Sequence, residues 1–280
     1  MKCIVCGCSL IPFFTKDFCK KWTLNIVEYW KCNNCGLTIS KTHYEMPLKD
    51  WEALNDKYHS SLFTITTKTS QAKNDNPEED VRKSMRMRGL NRLKLQADII
   101  ALLAGRGLLS RSLPWIDFGC GDGTLANLLM ERGFPTKKFD KYVFRKDKGY
   151  LTENDLDKYY DLVINTGVFE HIRKKETLDE ILGLVADKGV LALHVLVCES
   201  VPENPTWFYL LPVHCTFFTN KSMQILFEQW DFSASIYHAP SRMWFWFKKT
   251  SYAIEQFMKY SERSFPEEFY YKKAFLDFWK

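Results

Sequence analysis

The sequence has no long hydrophobic run and no dense block of charge of one sign. Its longest apolar stretches, such as 189–198 and 207–218, are too short or too interrupted by Pro and His to cross a bilayer. The first eight residues read MKCIVCGC, where a secretory signal would need a continuous apolar segment. The net charge is +5 with Lys and Arg spread along the chain, so nucleic acid is not favoured as a partner. We expect a cytoplasmic protein without a transmembrane segment.

Nine cysteines are present, and six of them lie within residues 1–35. Two CxxCG motifs each turn the chain so that two thiolates point to one place, and the two turns together can close a tetrahedral sulfur site. A bound metal then supplies folding energy that so short a segment cannot obtain from a core. We predict a zinc ribbon over residues 1–47, with structural zinc on Cys3, Cys6, Cys32 and Cys35. Iron would be held by the same spacing.

Helical and strand patterns follow the ribbon. Residues 48–90 have helical periodicity interrupted by a polar break at 67–80, which predicts a helical linker or cap. From 91 to 250, strand and helix patterns alternate, which predicts a largely parallel sheet with helices on both faces. Residues 251–280 are predicted to form a helical C-terminal tail. In such a sheet, ligands bind at the carboxyl ends of the strands.

One predicted strand end carries the segment LPWIDFGCGDGTLANLL. Gly119, Gly121 and Gly123 would let a nucleotide-bearing cofactor lie against the backbone at the N-terminus of a helix. The spacing is GxGxG, which differs from the GxGxxG of dinucleotide sites. Asp117 suits a cationic amine, and Asp140 after the next strand can accept hydrogen bonds from both hydroxyls of a ribose. These residues indicate a ligand that combines an amino acid with a nucleoside.

In this order, WIDFGCGDG, FDKYV, YDLVINTGVFEHI, GVLALHVLV and HCTFFTNKSMQILFEQWDF resemble the class I S-adenosylmethionine (SAM)-dependent methyltransferases over roughly residues 90–248. With the CxxCG front and a W-x-x-L-x-x-x-Y segment, the chain is similar to zinc-ribbon-bearing members, some of which methylate sugars or nucleotide-linked sugars. The resemblance implies a Rossmann-like α/β fold with seven mostly parallel strands, the last two forming an antiparallel hairpin. It also implies SAM as the cofactor.

The same resemblance implies positions around that cofactor. Asp117 and the glycines would lie at its methionine end, Asp140 at the ribose, Asp155 near the adenine, and Asn165 and Thr166 near the sulfonium. The predicted cofactor-binding residues are Asp117, Phe118, Gly119, Gly121, Gly123, Asp140, Asp155, Asn165 and Thr166.

Departures from related enzymes narrow the expected acceptor. The chain reads Asn-Thr-Gly-Val after the fourth strand, where enzymes that methylate amino groups of bases or of glutamine carry Asn/Asp-Pro-Pro-aromatic. Such amino groups are therefore disfavoured as acceptors. Ubiquinone-type O-methyltransferases carry Glu-x-x-Glu-His there, which can hold a divalent metal. Here Glu170 and His171 are kept but Gly167 stands at the first position, so a catalytic metal is not expected. Ribbon-bearing sugar C-methyltransferases carry a further C-terminal α/β domain, whereas only a helical tail is predicted here. O-methylation is therefore favoured over C-methylation.

Transfer to a hydroxyl requires alignment, exclusion of water and removal of one proton. A base with a near-neutral pKa suffices, so the predicted catalytic residues are His171 with Glu170 beside it, and His214. Packing at a helix start is the alternative role for His171, and the other histidines, including His59, are expected to be structural or exposed.

We therefore expect SAM-dependent methylation of a small molecule, at a hydroxyl of a sugar or nucleotide-linked sugar. Two alternatives stay open. One is an RNA or protein methyltransferase whose ribbon and basic residues bind a macromolecule, and the other is a non-catalytic binding module that keeps the SAM fold. The oligomeric state is not predicted.

Overall fold

The computed structural model describes residues 1–19, 21–68, 77–143 and 149–277. Within them the helices are α1 (Lys41–Glu45), α2 (Leu48–Lys68), α3 (Pro77–Gly105), α4 (Thr124–Glu131), α5 (Lys175–Gly183), α6 (Asn220–Gln229) and α7 (Tyr252–Ser264). The strands are β1 (Leu10–Asp17), β2 (Ile26–Cys32), β3 (Thr38–Ser40), β4 (Trp115–Phe118), β5 (Thr136–Phe139), β6 (Tyr150–Leu151), β7 (Tyr160–Thr166), β8 (Val185–His194), β9 (Val197–Cys198), β10 (Thr216–Thr219), β11 (Ala234–His238), β12 (Met243–Phe247) and β13 (Phe269–Lys272). Most of the predicted polar break, 69–76, lies outside the described residues.

The larger sheet has the strand order β13-β11-β12-β8-β7-β4-β5-β6. Five strands, β8, β7, β4, β5 and β6, run parallel to one another. Strand β12 pairs antiparallel with β8, and β11 pairs antiparallel with both β12 and β13. The predicted hairpin of the last two strands is therefore present as β11–β12. The sheet has eight described strands where seven were expected, because the tail predicted to be helical also contributes β13 beside α7.

Alternate side chains of the central strands pack into two cores, one on each face of the sheet. On β7, Val163 belongs to a core that contains Leu178 of α5 and Leu226 of α6, whereas Leu162 belongs to a core that contains Ile100 of α3 and Leu129 of α4. This separation follows from the two-residue period of a strand. The helices on both faces leave the carboxyl ends of the parallel strands open for ligands.

Two local boundaries differ from what the sequence pattern predicts. The segment TLDEILGLVADKG predicts a helix that continues to Gly189, but α5 ends at Gly183, because β8 already begins at Val185 and pairs with β7. The pattern of NKSMQILFEQWDF predicts Asn220 as a helix cap, but α6 is capped by Thr219, whose side chain accepts from the amide of Ser222. No described helix is long and apolar enough to cross a bilayer.

The cysteine-rich segment forms a second sheet with the order β1-β2-β3-β10-β9. Strands β1 to β3 are an antiparallel meander, and β3 pairs with β10, which comes from the segment after β8. The N-terminal module and the segment that follows β8 therefore share one sheet.

Candidate functional site

The glycine-rich loop lies between β4 and α4. Gly119, Gly121 and Gly123 all have positive φ values, of 79°, 54° and 75°. A Cβ atom on Gly119 would lie 2.4 Å from Cγ2 of Val168, so this position has no room for a side chain. Strand β6 also restrains the loop, because the hydroxyl of Tyr150 donates to the carbonyl of Gly121 (2.8 Å). The backbone is therefore held in a conformation that favours glycine and exposes its surface to a ligand.

Asp117 is a buried carboxylate at the end of β4, with a relative exposure of 1%. Neither of its oxygens makes a hydrogen bond of ordinary geometry within the described residues. Burial, and secondarily the nearby Asp140 carboxylate, raise the pKa of Asp117 to about 7, although the amide of Ala126 acts in the opposite direction. A buried carboxylate without a partner is costly, so this position favours a cationic ligand group.

Asp140 follows β5 and organises the neighbouring loop. Its Oδ2 accepts from the amide of Gly121 (2.8 Å), and its Oδ1 accepts from the amides of Tyr142 (2.8 Å) and Val143 (2.9 Å). A carboxylate has about four acceptor positions, so three backbone donors leave capacity for about one more. Asp140 can therefore both hold the loop and accept one hydroxyl.

A cavity of about 670 Å³ begins at this loop. Six of the predicted cofactor residues line it, namely Asp117, Phe118, Gly119, Gly121, Asp140 and Thr166. Gly123 instead caps α4, Asn165 donates from Nδ2 to the carbonyl of Phe118 (2.9 Å), and Asp155 caps its own 3-10 turn. From that turn it is Glu153 that lines the cavity.

Helix α2 covers the cavity, and the sequence analysis assigned no site residue to it. Trp51, Asn55 and His59 are spaced four residues apart, share one helix face and line the cavity. Trp51 donates from Nε1 to the hydroxyl of Tyr142 (2.8 Å), which ties the helix to the loop after β5. Oδ1 of Asn55 is buried and without a partner among the described residues. The four-residue spacing was the signal that could have identified this face.

His171 lines the same cavity. Its ring centroid lies 5.8 Å from that of His59 and 5.0 Å from that of His214. Burial and the two neighbouring imidazoles lower the pKa of His171 well below its usual value, and burial lowers the pKa of His214 to about 4. Both rings are therefore neutral near pH 7, and His59, expected to be structural or exposed, belongs to the cavity wall.

Glu170 and His214 stand behind His171 and do not line the cavity. Glu170 is buried, and its Oε1 accepts from the hydroxyl of Tyr209 (2.7 Å), while burial raises its pKa. Nδ1 of His214 is hydrogen-bonded to the backbone carbonyl of Tyr209 (2.9 Å). The three predicted catalytic residues are thus one contiguous cluster in which only His171 reaches the cavity.

The four predicted metal ligands are brought together by the N-terminal sheet. The Sγ–Sγ distances are 3.6 Å for Cys3–Cys35, 3.4 Å for Cys6–Cys32 and 3.7 Å for Cys6–Cys35. Four sulfurs about 2.3 Å from a tetrahedral zinc lie about 3.8 Å apart, so the set fits such an ion. The hydrogen bond from Cys35 lowers the pKa of Cys3 to about 6, whereas the same contact together with burial raises the pKa of Cys35, so one thiolate is favoured within this pair.

Backbone contacts connect this cysteine site to the segment that carries His214. The amide of Ser40 donates to the carbonyl of Cys215 (2.7 Å), and Nε2 of His43 is hydrogen-bonded to the carbonyl of Pro212 (3.0 Å). The guanidinium of Arg173 donates to the carbonyl of His43 (2.9 Å). The N-terminal module therefore packs against the segment that carries His214.

Comparison with solved structures finds similar folds at low sequence identity. Magnesium protoporphyrin IX methyltransferase from Synechocystis PCC 6803, with bound SAM, is 16% identical with a TM-score of 0.48, covering 73% of this chain and 100% of that one. An O-methyltransferase family protein from Burkholderia thailandensis is 14% identical with a TM-score of 0.43, covering 72% of each chain. The plantazolicin methyltransferase BpumL, in complex with SAH, is 13% identical with a TM-score of 0.39, covering 81% and 97%. Comparison with curated proteins gives no match.

A family model described as a methyltransferase domain matches residues 87–234, which is more than half of the chain. The matched region contains the glycine loop, Asp117 and Asp140, and His171 and His214. Their arrangement, an unpartnered carboxylate beside a bare backbone loop and a second carboxylate one strand away, fits a nucleoside that carries a cationic amine. The chain therefore belongs to the methyltransferase domain family and is a SAM-dependent methyltransferase.

Proposed function

We propose that the protein transfers the methyl group of SAM to a hydroxyl of a small acceptor, a sugar or a nucleotide-linked sugar, and that a histidine accepts the hydroxyl proton. The cofactor supplies a methyl group already activated on a sulfonium. Asp117 would bind its ammonium group, the glycine loop would follow its methionine portion, and Asp140 would accept one ribose hydroxyl. The chain must then align the acceptor, exclude water and remove one proton.

The observation that carries this proposal is the set of residues that line the cavity. The glycine loop, His171 and the α2 side chains Trp51 and Asn55 all line the same cavity. A volume of about 670 Å³ is within the usual range for a small-molecule site. Because a helix of the same chain forms part of its wall, the cavity favours a small acceptor over an RNA or protein segment, which would need an open groove.

The histidines at the acceptor end support an oxygen acceptor. A hydroxyl stays protonated at neutral pH, so its attack on the methyl group benefits from a neutral imidazole. His171 and the added candidate His59 line the cavity, and His214 contacts His171 from behind. Removing the base should lower turnover by about a hundred- to ten-thousand-fold.

We further propose that the four clustered cysteines hold one structural zinc. The thiol distances and the fit to a tetrahedral ion support this, and the ion would stabilise the sheet that packs against the His214 segment.

The test is a screen of sugars, nucleotide-linked sugars and RNA with methyl-labelled SAM. We expect label in a sugar-type acceptor, and sensitivity of that reaction to His171→Ala, His214→Ala or His59→Ala while SAM affinity stays within a few fold. Label in RNA with salt-sensitive binding would refute the small-molecule assignment. Wild-type rates in all three variants would refute the histidine base.

A further inference from the structure

Glu170, His171 and His214 form a cluster of possible ligand groups away from the cysteine site. One ligand atom from each residue lies within 4.8 Å of one from each of the others. Glu170 and His214 are buried, with relative exposures of 5% and 7%. The cluster combines two imidazoles and one carboxylate from two segments, the turn after β7 and the loop before β10.

Each of the three residues has a polar atom without a hydrogen-bond partner, and in two of them another atom is anchored. Oε1 of Glu170 accepts from the hydroxyl of Tyr209, whereas Oε2 is buried without a partner in the described part of the chain. Nδ1 of His171 is buried and similarly unpartnered. Nδ1 of His214 must carry the proton, since its partner is the carbonyl of Tyr209, and Nε2 therefore carries a lone pair.

No hydrogen bond joins the three side chains within the described residues, although their ligand atoms lie within 4.8 Å of one another. Buried polar atoms left without partners are costly. A cation placed between them satisfies all three at once. Anchoring the second ring nitrogen of a histidine to a backbone carbonyl is also the usual support of a metal-bound imidazole.

We propose that Glu170, His171 and His214 bind one divalent transition-metal ion, with zinc as the reference ion. Two histidines and one glutamate are a donor set found in catalytic zinc sites, where three protein ligands leave a fourth position open. An ion held at about 2.0–2.2 Å would draw the ligand atoms together by up to about 1.4 Å from the 4.8 Å limit.

The metal site itself does not depend on the proposed function, but the role of the ion in methyl transfer rests on it. Of the three ligands only His171 lines the cavity, so the ion would be held on the buried side of its ring and would fix that ring beside the acceptor. The acceptor O–H proton would pass to His59, the oxygen would form a bond to the methyl carbon, and the C–S bond would break with its electron pair kept by sulfur. The lone pairs of His171 and His214 would serve the ion, which leaves His59 as the base.

The experiment is a metal count on the full chain, with Zn²⁺ alone as the probe. We expect two zinc ions per chain at saturation, one from the cysteines and one from this cluster. Glu170→Gln keeps the size and the Tyr209 contact but removes the charge, and it should weaken the second site at least tenfold. His214→Ala should abolish the second site, and circular dichroism checks that each variant is folded. His59→Ala is the matched control and should leave both ions in place.

One zinc per chain in the wild type, or two in Glu170→Gln with unchanged affinity, would overturn the inference. Co²⁺ gives a second readout, since the second equivalent should add visible bands without sulfur-to-cobalt charge transfer. None of these measurements needs SAM or an acceptor. Absence of the second ion thus leaves the proposed methyl transfer standing, whereas a second ion without any methylated hydroxyl contradicts only the proposed function.

Discussion

Asp117 makes cofactor binding dependent on pH. Its carboxyl is buried, both oxygens lack hydrogen bonds of ordinary geometry in the described residues, and its pKa is raised to about 7 in the cofactor-free protein. Only the ionised form offers a negative charge to the ammonium group of SAM. That amine has an ordinary pKa of about 7.7–8.0, so it stays charged below pH 7. We therefore predict that SAM affinity falls as the pH is lowered from 7 to 5.5.

The magnitude follows from the ionised fraction. A group with a pKa of about 7 is ionised in roughly half of the molecules at pH 7 and in roughly 3% at pH 5.5. Apparent affinity is reduced by the fraction of the protein that can bind, so the dissociation constant should rise about 16-fold over this interval. Asp117→Asn removes the charge and should weaken binding at pH 7 by about 1.5–3 kcal/mol, the range for hydrogen bonds to charged groups.

Calorimetric titration with SAM at several pH values is the assay. The wild type should show the pH dependence, and Asp117→Asn should be nearly flat. Asp98→Asn, which removes a surface carboxylate that pairs with Arg132, is the matched control and should behave as the wild type. A wild-type affinity that is unchanged between pH 5.5 and 7 would refute the role of Asp117.

The raised pKa of Asp117 also makes the free energy of unfolding depend on pH. Between the ordinary value of 3.8 and about 7, the folded protein binds the Asp117 proton more tightly than the unfolded chain does. The contribution of this group to the free energy of unfolding therefore declines as the pH rises across that window. The buried histidines have lowered pKa values, so their contribution to the free energy of unfolding changes with pH in the opposite direction. The measurement is therefore the difference in melting temperature between the wild type and Asp117→Asn, both free of cofactor, at each pH.

Further predictions concern the other parts of the site. Asp140→Ala should weaken SAM binding by about 1.5–3 kcal/mol in calorimetry and also loosen the loop that its carboxylate holds, and unchanged affinity would contradict the ribose assignment. Gly119→Ala places a Cβ 2.4 Å from Val168, so we expect a loss of about 1–3 kcal/mol of stability and weaker SAM binding, part of which Val168→Ala should restore. Cys6→Ser should lose the cysteine-bound zinc and lower the melting temperature, measured by elemental analysis and calorimetry, whereas the exposed Cys19→Ser should change neither.

The sequence carried most of the fold because the relevant signals are local. The strand before the glycine loop, the hairpin β11–β12 and the two cysteine turns each follow from short-range patterns. The shared sheet does not, since β3 pairs with β10 across about 180 residues and the pattern of neither strand names its partner. The eighth strand was missed for a similar reason, because FYYK is short and follows a strongly amphipathic helix.

The acceptor end of the site depends on how distant segments fold together. The sequence identified His171 and His214 as separate candidates. Only the folded chain brings their ring centroids to 5.0 Å from each other, buries Glu170 and places its carboxylate against the hydroxyl of Tyr209. His59 lies on a helix outside the matched family region, and its spacing from Trp51 is equally consistent with a core-facing stripe. What distinguishes the two cases is whether a cavity lies beneath that helix face, and this depends on the packing of α2 over the strand ends. The proposed acceptor site is thus formed by parts of the chain whose sequence alone indicates only packing, while the glycine loop is specified by its own residues.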